Sequence, residues 1–376
     1  MAEQKPIRLI VSGGGTGGHI FPAVSIANAV KALRPDAEIL FVGAEGRMEM
    51  QRVPAAGYKI VGLPVRGLIR PLWSPRNIGV MRDFLKSRSM VKHIIRDFKP
   101  QVAVGVGGYA SAPTLKAAHS MGIPCLIQEQ NSYAGVTNKS LAKAAQCICV
   151  AYDGMERFFP ADRIIKTGNP VRQNLLDCTV SREDAVKSFG LDPERRTILI
   201  IGGSLGARTV NDSVLQHLED IRNATGVQII WQTGKIYSQS IHEALAKVDE
   251  LPNLHVTDFI SDMDCAYRAA DLVISRAGAS SISELCLLQK PCILVPSPNV
   301  AEDHQTKNAM ALSTRGAALL VKDVEARNEL ISLALKTVED KALLESLGQH
   351  AGELAYQNSA QRIAEEVIKL AENKSK

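Results

Sequence analysis

Residues 7–33 read IRLIVSGGGTGGHIFPAVSIANAVKAL. An aliphatic strand, Ile7 to Val11, is followed by a glycine-rich turn and by the apolar-periodic segment Ile20 to Leu33, which predicts a helix. The same succession recurs along the chain, with further strands predicted at Ile39 to Val42, Val102 to Val106, Cys125 to Gln128, Ile198 to Ile201, Val227 to Trp231, Leu272 to Ser275 and Cys292 to Val295. Unbroken apolar strands that alternate with helices are typical of parallel sheets covered on both faces. The pattern therefore predicts an α/β fold.

The two halves of the chain resemble each other. IRLIVSGGGTGGH is echoed by TILIIGGSLGA at 197–207, and residues 100–127 are echoed by 270–294, each a strand, a glycine turn, a helix and a proline before the next strand. A length of 376 residues, 45% of them hydrophobic, suffices for two domains and excludes a disordered chain. We expect the join around Gly168 to Asp177, and a closing helix at Ser359 to Leu370, where apolar residues recur at helical steps.

The net charge of +5 conceals an asymmetry between the halves. Residues 1–173 contain 23 Lys and Arg against 11 Asp and Glu, whereas the remainder contains 21 against 28, so the halves carry about +12 and −7. A basic first half indicates an anionic partner or surface. The chain begins without the pattern of a signal peptide and has no apolar run of about 18 residues, so we expect a soluble or peripheral protein made in the cytosol. Seven scattered cysteines without CxxC spacing are expected to be core thiols.

The first glycine turn, Ser12 to His19, allows close backbone approach and opens a helix whose free N–H groups favour anions. Gly13, Gly15 and Gly18 match GxGxxG, which leaves a dinucleotide-binding fold open. His19 is of interest because a helix N-terminus disfavours the imidazolium, so a neutral side chain there can accept a proton. The alternative is a histidine that only hydrogen-bonds the turn.

The second glycine turn, GGSLGA at 202–207, predicts another anion site, where Ser204 can donate to a diphosphate. In RAGASSISE, 276–284, Glu284 follows a strand-to-helix turn and can accept from both hydroxyls of a ribose, or it can be a surface glutamate. The polar loop 301–309 suits sugar hydroxyls. QEQN, 128–131, ends a strand at its carboxyl end, where a charged Glu129 is costly unless it is used or paired.

The stretch Arg66 to Arg96 carries eight basic residues and one acidic residue, Asp83, interleaved with apolar side chains. Ser74 and Pro75 are predicted as the N-cap and first residue of a helix in which Ile78, Met81 and Leu85 share a face. Basic residues beside aliphatic and aromatic ones fit the surface of an anionic membrane. The aromatic residues are too few for nucleic-acid binding by base stacking. The remaining alternative is a solvated helix whose apolar side is buried.

Seven motifs together resemble the MurG family of peptidoglycan glycosyltransferases, in order and in spacing. They span nearly the whole chain and are GGGTGGH (13–19), VGVGGYAS (104–111), QEQN, GNPVR (168–172), GGSLGA, RAGASSISE and DHQTKNA (303–309). The resemblance implies the glycosyltransferase B fold, with two Rossmann-like domains facing a cleft and a C-terminal helix returning to the first. It implies an acceptor- and membrane-binding domain, 1–173 with the returning helix 352–376, and a domain that binds the UDP-sugar, 174–351.

The resemblance also implies the reaction and the residues that carry it. N-acetylglucosamine would pass from UDP-GlcNAc to the C4 hydroxyl of MurNAc-pentapeptide-pyrophosphoryl-undecaprenol, which converts lipid I to lipid II at the cytoplasmic face of the inner membrane. Ile260 would contact uracil, Glu284 the ribose, and Ser204 with Arg172 the diphosphate. The same pocket would be lined by Ala279, Ser280, Ser281, Ile282 and Ser283. The donor sugar would be held by Thr16, Gly17, Gly18, Asn131 and Gln305. Membrane contact would involve Leu72, Trp73, Arg82, Lys86 and Arg88.

The implied mechanism is an inverting displacement with a general base. His19 is the first candidate for this base and Glu129 is the second. Ser204, Arg172 and the dipole of the helix after GGSLGA would stabilise the charge on departing UDP, so no metal and no cofactor is expected. One position departs from the family: many relatives have His where this chain has Gln128. Three other hypotheses stay open, namely a sugar-nucleotide epimerase of the same fold, a nicotinamide-dependent oxidoreductase, and a non-catalytic membrane scaffold.

Overall fold

The computed structural model describes residues 6–67, 73–203, 205–300 and 303–374. The chain forms two compact units. The first comprises the described residues of Met1–Arg172 and Tyr356–Lys376, and the second those of Gln173–Ala355.

The first unit is built on a seven-stranded parallel sheet. Its strands are β1 (Arg8–Ser12), β2 (Glu38–Ala44), β3 (Lys59–Leu63), β4 (Val102–Gly105), β5 (Cys125–Glu129), β6 (Cys147–Val150) and β7 (Ile164–Lys166), in the order β3-β2-β1-β4-β5-β6-β7. Its helices up to this point are α1 (Gly17–Leu33), α2 (Glu49–Ala55), α3 (Asn77–Phe98), α4 (Ser111–Ser120) and α5 (Val136–Leu141), with 3₁₀ turns at Met155–Arg157 and Ala161–Arg163. The strand order reverses between β1 and β4, where such sheets bind ligands.

Alternation along β1 explains why both faces of this sheet are covered. Successive side chains of a strand point to opposite faces, so Leu9 and Val11 enter one hydrophobic cluster while Ile10 enters the other. All three are fully buried. The sequence therefore shows an unbroken apolar run instead of a polar alternation.

The second unit repeats this arrangement with six parallel strands. They are β8 (Arg196–Ile201), β9 (Val227–Gln232), β10 (Leu254–Thr257), β11 (Leu272–Ser275), β12 (Cys292–Leu294) and β13 (Leu319–Leu320), in the order β10-β9-β8-β11-β12-β13. The helices are α6 (Gln173–Leu176), α7 (Arg182–Ser188), α8 (Arg208–Gln216), α9 (Leu218–Asn223), α10 (Ser238–Leu245), α11 (Met263–Ala269), α12 (Ala279–Leu287), α13 (His304–Ser313), α14 (Asp323–Glu339) and α15 (Lys341–Glu353). This is the strand order of the first six strands of the first unit.

The last helix, α16 (Ser359–Lys374), belongs to the first unit and packs against α1. Ile363 and Val367 are fully buried in the cluster that also contains Leu9 and Val11. The predicted closing helix and its return to the first domain are confirmed.

The predicted α/β class and its two Rossmann-like domains are also confirmed, as are all eight predicted strands. The helix predicted to start at Ser74 and Pro75 starts later, at Asn77 with Arg76 as N-cap, because the amides of Asn77 and Ile78 donate to the carbonyls of Ser74 and Pro75 in a preceding turn. All seven cysteines are free thiols. None of the helices in the described ranges has both the length and the hydropathy of a membrane-spanning segment.

Candidate active site

The predicted site residues of each unit that the structure describes follow the carboxyl ends of its strands. In the first unit the loop 13–16 connects β1 to α1, with Thr16 as N-cap and Gly17 and Gly18 as the first helical residues. Thr16 has an extended backbone, and its side chain makes no capping hydrogen bond to the helix. The first turn of α1 therefore keeps amide groups suited to a polar ligand.

His19 is half-buried, and its ring is oriented by the backbone of this loop. Its Nδ1 lies 3.2 Å from the carbonyl oxygen of Gly14. A carbonyl oxygen only accepts, so this contact is a hydrogen bond in the tautomer with the proton on Nδ1, in which Nε2 is the basic nitrogen. Thr16 Oγ1 lies 3.4 Å from the same nitrogen. The ring rests against Gly107, which has φ +95°, and a Cβ there would lie 2.8 Å from Nε2. The glycine loop after β1 and the glycine turn after β4 thus meet around the imidazole.

Glu129 ends β5 and is 1% exposed. Its Oε1 accepts from the amide of Asn131 at 3.1 Å and from Asn131 Nδ2 at 3.3 Å. Its Oε2 accepts from the amide of Gly135 at 3.0 Å and from Asn138 Nδ2 at 2.9 Å. Four hydrogen-bond donors thus offset the cost of burying the Glu129 charge. The same bonds connect the loop from Asn131 to Asn138 with the end of β5.

A closed ring of buried amides joins QEQN to GNPVR. Gln128 Nε2 donates to Asn169 Oδ1 at 2.9 Å, Asn169 Nδ2 donates to the carbonyl of Gln130 at 3.0 Å, and Gln130 Nε2 donates to Gln128 Oε1. Gln128 therefore has a structural role here. Arg172 follows this ring, and its guanidinium lies over the ring of Phe21 at 5.1 Å.

In the second unit the loop 202–207 connects β8 to α8. Gly206 and Gly234 approach so closely that a Cβ on Gly234 would lie 2.2 Å from the amide nitrogen of Gly206. Ala207 is the N-cap of α8 and offers no side-chain cap. The loop and the helix start therefore retain the character of an anion site. Ser204, predicted to donate there, lies outside the described residues.

The residues predicted to hold the nucleoside lie on α12 and before α11. Glu284 is 7% exposed, and Oε2 of its carboxylate accepts from the hydroxyl of Tyr267 at 3.0 Å. Ala279 and Ile282 are buried, Ser281 and Ser283 are half-buried, and Ile260 is 5% exposed between β10 and α11. The Ser280 hydroxyl is buried and lacks a hydrogen-bond partner among the described residues. Such a group is costly unless a ligand satisfies it.

A half-buried ion pair connects the loops around these helices. Arg276, just before α12, donates to the carbonyls of Val295 and Pro296 at 3.1 and 3.2 Å and to the carboxylate of Asp323. Asp323 also accepts from the hydroxyl of Thr209 on α8 at 2.9 Å. It thereby connects α8, the start of α12 and the loop after β12.

Gln305, predicted to contact the donor sugar, lies on α13, where its Oε1 accepts from the amide of Ser297 at 2.8 Å. In the described parts of the chain, no cluster of three or more His, Cys, Asp or Glu is placed to hold a metal ion.

An exposed apolar surface lies on the first unit, along α3. We call it the α3 patch; its members and their exposed fractions are Trp73 85%, Ile78 76%, Leu85 57% and Met81 54%.

Basic residues flank the α3 patch. Arg82 and Lys86 are exposed and Arg88 is half-buried, whereas Leu72 lies outside the described residues. Asp83, the acidic residue within the stretch, is paired with Arg66 at 2.6 Å. The alternative of a buried apolar side therefore does not hold for the α3 patch, whereas Val80, Val91 and Ile95 of the same helix are buried.

Several residues of these sites escaped sequence reasoning. Tyr267 and Asn138 lie 17 and 9 positions from the carboxylates they bind, and only the fold brings them together. No sequence motif indicates Glu49, whose buried carboxylate accepts a hydrogen bond from the first glycine loop.

Comparisons with known proteins cover both units. Residues 9–150 match the model described as glycosyltransferase family 28 N-terminal domain, and residues 197–367 match that of the glycosyltransferase family 28 C-terminal domain. The chain is 65% identical over 97% of its length, and 96% of the relative's, to the UDP-N-acetylglucosamine--N-acetylmuramyl-(pentapeptide) pyrophosphoryl-undecaprenol N-acetylglucosamine transferase of Bacteroides fragilis.

Solved structures with a similar fold cover nearly the whole chain. The crystal structure of Acinetobacter baumannii MurG is 28% identical, with TM-score 0.75 over 97% of this chain and 100% of that chain. The UDP-GlcNAc 2-epimerase from Neisseria meningitidis, 16% identical with TM-score 0.69 over 96% and 100% of the two chains, shares the fold.

Proposed function

The chain belongs to glycosyltransferase family 28, and from this premise we propose that it transfers N-acetylglucosamine from UDP-GlcNAc to N-acetylmuramyl-(pentapeptide) pyrophosphoryl-undecaprenol, converting lipid I to lipid II. The observation that carries this function is the high identity to transferases of that name over nearly the full length of both chains. The protein is thus a UDP-GlcNAc-dependent hexosyltransferase of the glycosyltransferase B fold that serves peptidoglycan synthesis.

The second unit supplies the proposed nucleotide site. Glu284, held by Tyr267, accepts from the ribose hydroxyls, and Ile260 contacts the uracil. The diphosphate lies at the loop 202–207 and the start of α8, where uncapped amides and the helix dipole favour negative charge. A ligand at the start of α12 also provides the missing partner of the Ser280 hydroxyl. The parts of this site assigned to Ser204 and Arg172 rest on the resemblance.

We assign the general base to His19. Its Nδ1 proton is directed to the Gly14 carbonyl, which makes Nε2 the nitrogen that can take a proton. Glu129 is less suited, because each of its oxygens already accepts two hydrogen bonds and would have to give up a partner to accept a proton. The geometry supports a role for Glu129 in holding Asn131, which is assigned to the donor sugar together with Thr16, Gly17, Gly18 and Gln305.

The proposed reaction is a single displacement with inversion. The acceptor C4 oxygen forms a bond to the anomeric carbon of N-acetylglucosamine while the bond from that carbon to the diphosphate oxygen breaks. The hydroxyl proton passes to His19 Nε2, and UDP leaves with the electron pair. The amides around loop 202–207 stabilise the negative charge that develops on UDP.

The acceptor is a membrane lipid, and the α3 patch provides the proposed membrane contact. All four members of the α3 patch are more than half exposed, and exposed Arg82 and Lys86 suit anionic lipid head groups. The protein would thus act as a peripheral protein on the cytoplasmic face of the inner membrane, with the basic first half toward the lipid.

The reaction is tested by incubating purified protein with UDP-GlcNAc and a lipid I analogue. We expect UDP release that requires the acceptor, and a product heavier by one N-acetylhexosamine. Conversion of UDP-GlcNAc without acceptor would instead indicate an epimerase, and thermal stabilisation by NADH but not by UDP would indicate an oxidoreductase. Membrane binding without any turnover would indicate a scaffold.

The base is tested with His19→Gln, against His119→Gln as a control at an exposed histidine of the same unit. His19→Gln should lose about 10²- to 10⁴-fold in kcat while UDP binding persists, because general-base catalysis contributes about that factor. Near-normal kcat in His19→Gln would overturn the assignment.

A further inference from the structure

Glu49 is a fully buried carboxylate to which the proposed reaction gives no role. It is the first residue of α2 in the first unit and is 0% exposed. Its Oε2 accepts from the amide of Gly15 at 2.9 Å, and its Oε1 accepts from the amide of Ala44 at 3.0 Å. Among the described residues, no basic side chain forms an ion pair with it. Burying a carboxylate in this way is costly, so its contacts need a reason.

The surrounding backbone leaves room for this carboxylate. A Cβ on Gly14 would lie 2.1 Å from Glu49 Oε1, and a Cβ on Gly43 would lie 2.7 Å from Glu49 Cγ. Neither glycine has a positive φ, so the lack of a side chain serves space and not backbone conformation. The backbone at the ends of β1 and β2 thus leaves the space that the Glu49 side chain occupies.

One peptide group connects Glu49 to His19. The Gly15 amide that donates to Glu49 and the Gly14 carbonyl that accepts from His19 Nδ1 belong to the same peptide bond. The peptide group is planar, so a carboxylate that holds its N–H also orients its C=O. A negative charge at the N–H end polarises the group, and the carbonyl becomes a stronger acceptor.

We propose that Glu49 is a positioning residue that acts on His19 through the peptide between Gly14 and Gly15, keeping the imidazole proton on Nδ1 and Nε2 basic. The arrangement has the chemistry of a carboxylate paired with an imidazole, with a peptide group inserted between them. The catalytic effect of Glu49 rests on the proposed function of His19. The tautomer of His19 can be measured without any reaction.

The tautomer is measured directly in the wild-type protein by ¹⁵N NMR after selective labelling of its eight histidines. The His19 signals are assigned by their loss in His19→Gln. At a pH where the ring is neutral we expect a protonated Nδ1 and an unprotonated Nε2. An Nε2-protonated ring would overturn the proposal, whether or not the protein shows transferase activity.

The influence of Glu49 is measured with Glu49→Gln, because a carboxamide has no charge and accepts through one oxygen only. We expect an increased share of Nε2-protonated His19 and a loss of about 10- to 100-fold in kcat, by analogy with the carboxylates that orient metal-bound histidines. The affinity for UDP, measured by calorimetry, should remain unchanged because neither Glu49 nor His19 is among the residues proposed to bind it.

Glu45→Gln is the matched control, since Glu45 is exposed four positions earlier. If Glu49→Gln keeps both the wild-type tautomer and the wild-type kcat, the proposal is overturned. If the variant does not fold, the wild-type tautomer decides alone. Absence of transfer by the wild-type protein would contradict the proposed function and leave this measurement valid.

Discussion

The hydroxyl of Tyr267 donates a hydrogen bond to Glu284 Oε2 at 3.0 Å, between α11 and α12 of the second unit. Tyr267 is 1% exposed and Glu284 7%, so the pair is shielded from water. A hydrogen bond to a buried charged group is stronger than one between neutral groups. Tyr267 therefore orients the carboxylate proposed to accept from the ribose hydroxyls.

Glu284→Gln should weaken UDP binding because the ribose hydroxyls lose a charged acceptor. A hydrogen bond to a charged group contributes about 1.5–3 kcal/mol, so the Kd of UDP should rise about 10- to 150-fold by calorimetry. Glu243→Gln, at an exposed glutamate of α10, is the control and should bind as the wild type does. Equal affinities for all three proteins would remove Glu284 from the ribose site.

Tyr267→Phe should have a smaller effect in the same measurement. The variant keeps the carboxylate but releases its orientation, which costs about 1 kcal/mol and raises the Kd of UDP about fivefold. Tyr58→Phe is matched to it, since that hydroxyl donates to Asn28 Oδ1 at 2.6 Å in the first unit. A loss of UDP affinity in Tyr58→Phe as large as in Tyr267→Phe would show that the effect is not local.

Lys290 predicts a pH dependence for the stability of the second unit. Burial lowers the pKa of its ammonium from 10.5 to about 8. Between these values the unfolded chain holds more protons than the folded one, so the free energy of unfolding rises with pH across that window. Below it both forms are protonated, and the cost of the buried cation is fully present. Lys290→Met should therefore be more stable than the wild type at pH 7, with an advantage that shrinks toward pH 10.

Urea denaturation followed by fluorescence measures this difference. Trp231 is fully buried in the second unit and reports on it alone once the second tryptophan, Trp73, is replaced by Phe. Lys247→Met at an exposed position is the control and should track the wild type at every pH. Parallel stability curves for Lys290→Met and the wild type would refute the prediction.

The α3 patch predicts binding to vesicles with anionic phospholipids that weakens with salt. Each basic residue near such a surface contributes about 1 kcal/mol, so Arg82→Gln with Lys86→Gln should reduce sedimentation with vesicles about 30-fold in partition coefficient. Arg88 is left unchanged because it is half-buried. The double variant Lys235→Gln and Lys247→Gln removes the same charge from the second unit and should bind normally. Equal losses in both double variants would point to net charge instead of a local surface.

The strands that sequence reasoning found and those it missed differ in burial. The eight predicted strands lie inside the sheets, where both faces are covered and the apolar run is unbroken. The four edge strands β3, β7, β10 and β13 were not predicted, because most of their residues are only half-buried and β13 has only two residues. The inner strand β6 was also missed, although its four residues are buried and apolar.

The site shows a similar limit. Glu129 and Glu284 could be singled out because Glu129 ends an apolar strand and Glu284 lies in the helix after a glycine turn, where a charged side chain is costly unless it is paired or binds a ligand. Their partners Asn138 and Tyr267, and the link from Glu49 to His19, depend on which loops the fold brings together. A sequence pattern identifies the residue type that chemistry requires, whereas hydrogen-bond partners across loops are set by tertiary packing.

The pH dependence of kcat in two variants decides whether His19 or Glu129 is the general base. In Glu129→Gln the amides of Asn131 and Gly135 still point at the side chain, but a carboxamide accepts through one oxygen, so one amide loses its partner at a cost of about 1–3 kcal/mol. We expect kcat to fall while the acidic limb of the pH profile keeps its position, whereas His19→Gln removes that limb. Glu156→Gln, at an exposed glutamate of the same unit, should match the wild type. Loss of the limb in Glu129→Gln with its retention in His19→Gln would transfer the role of base to Glu129.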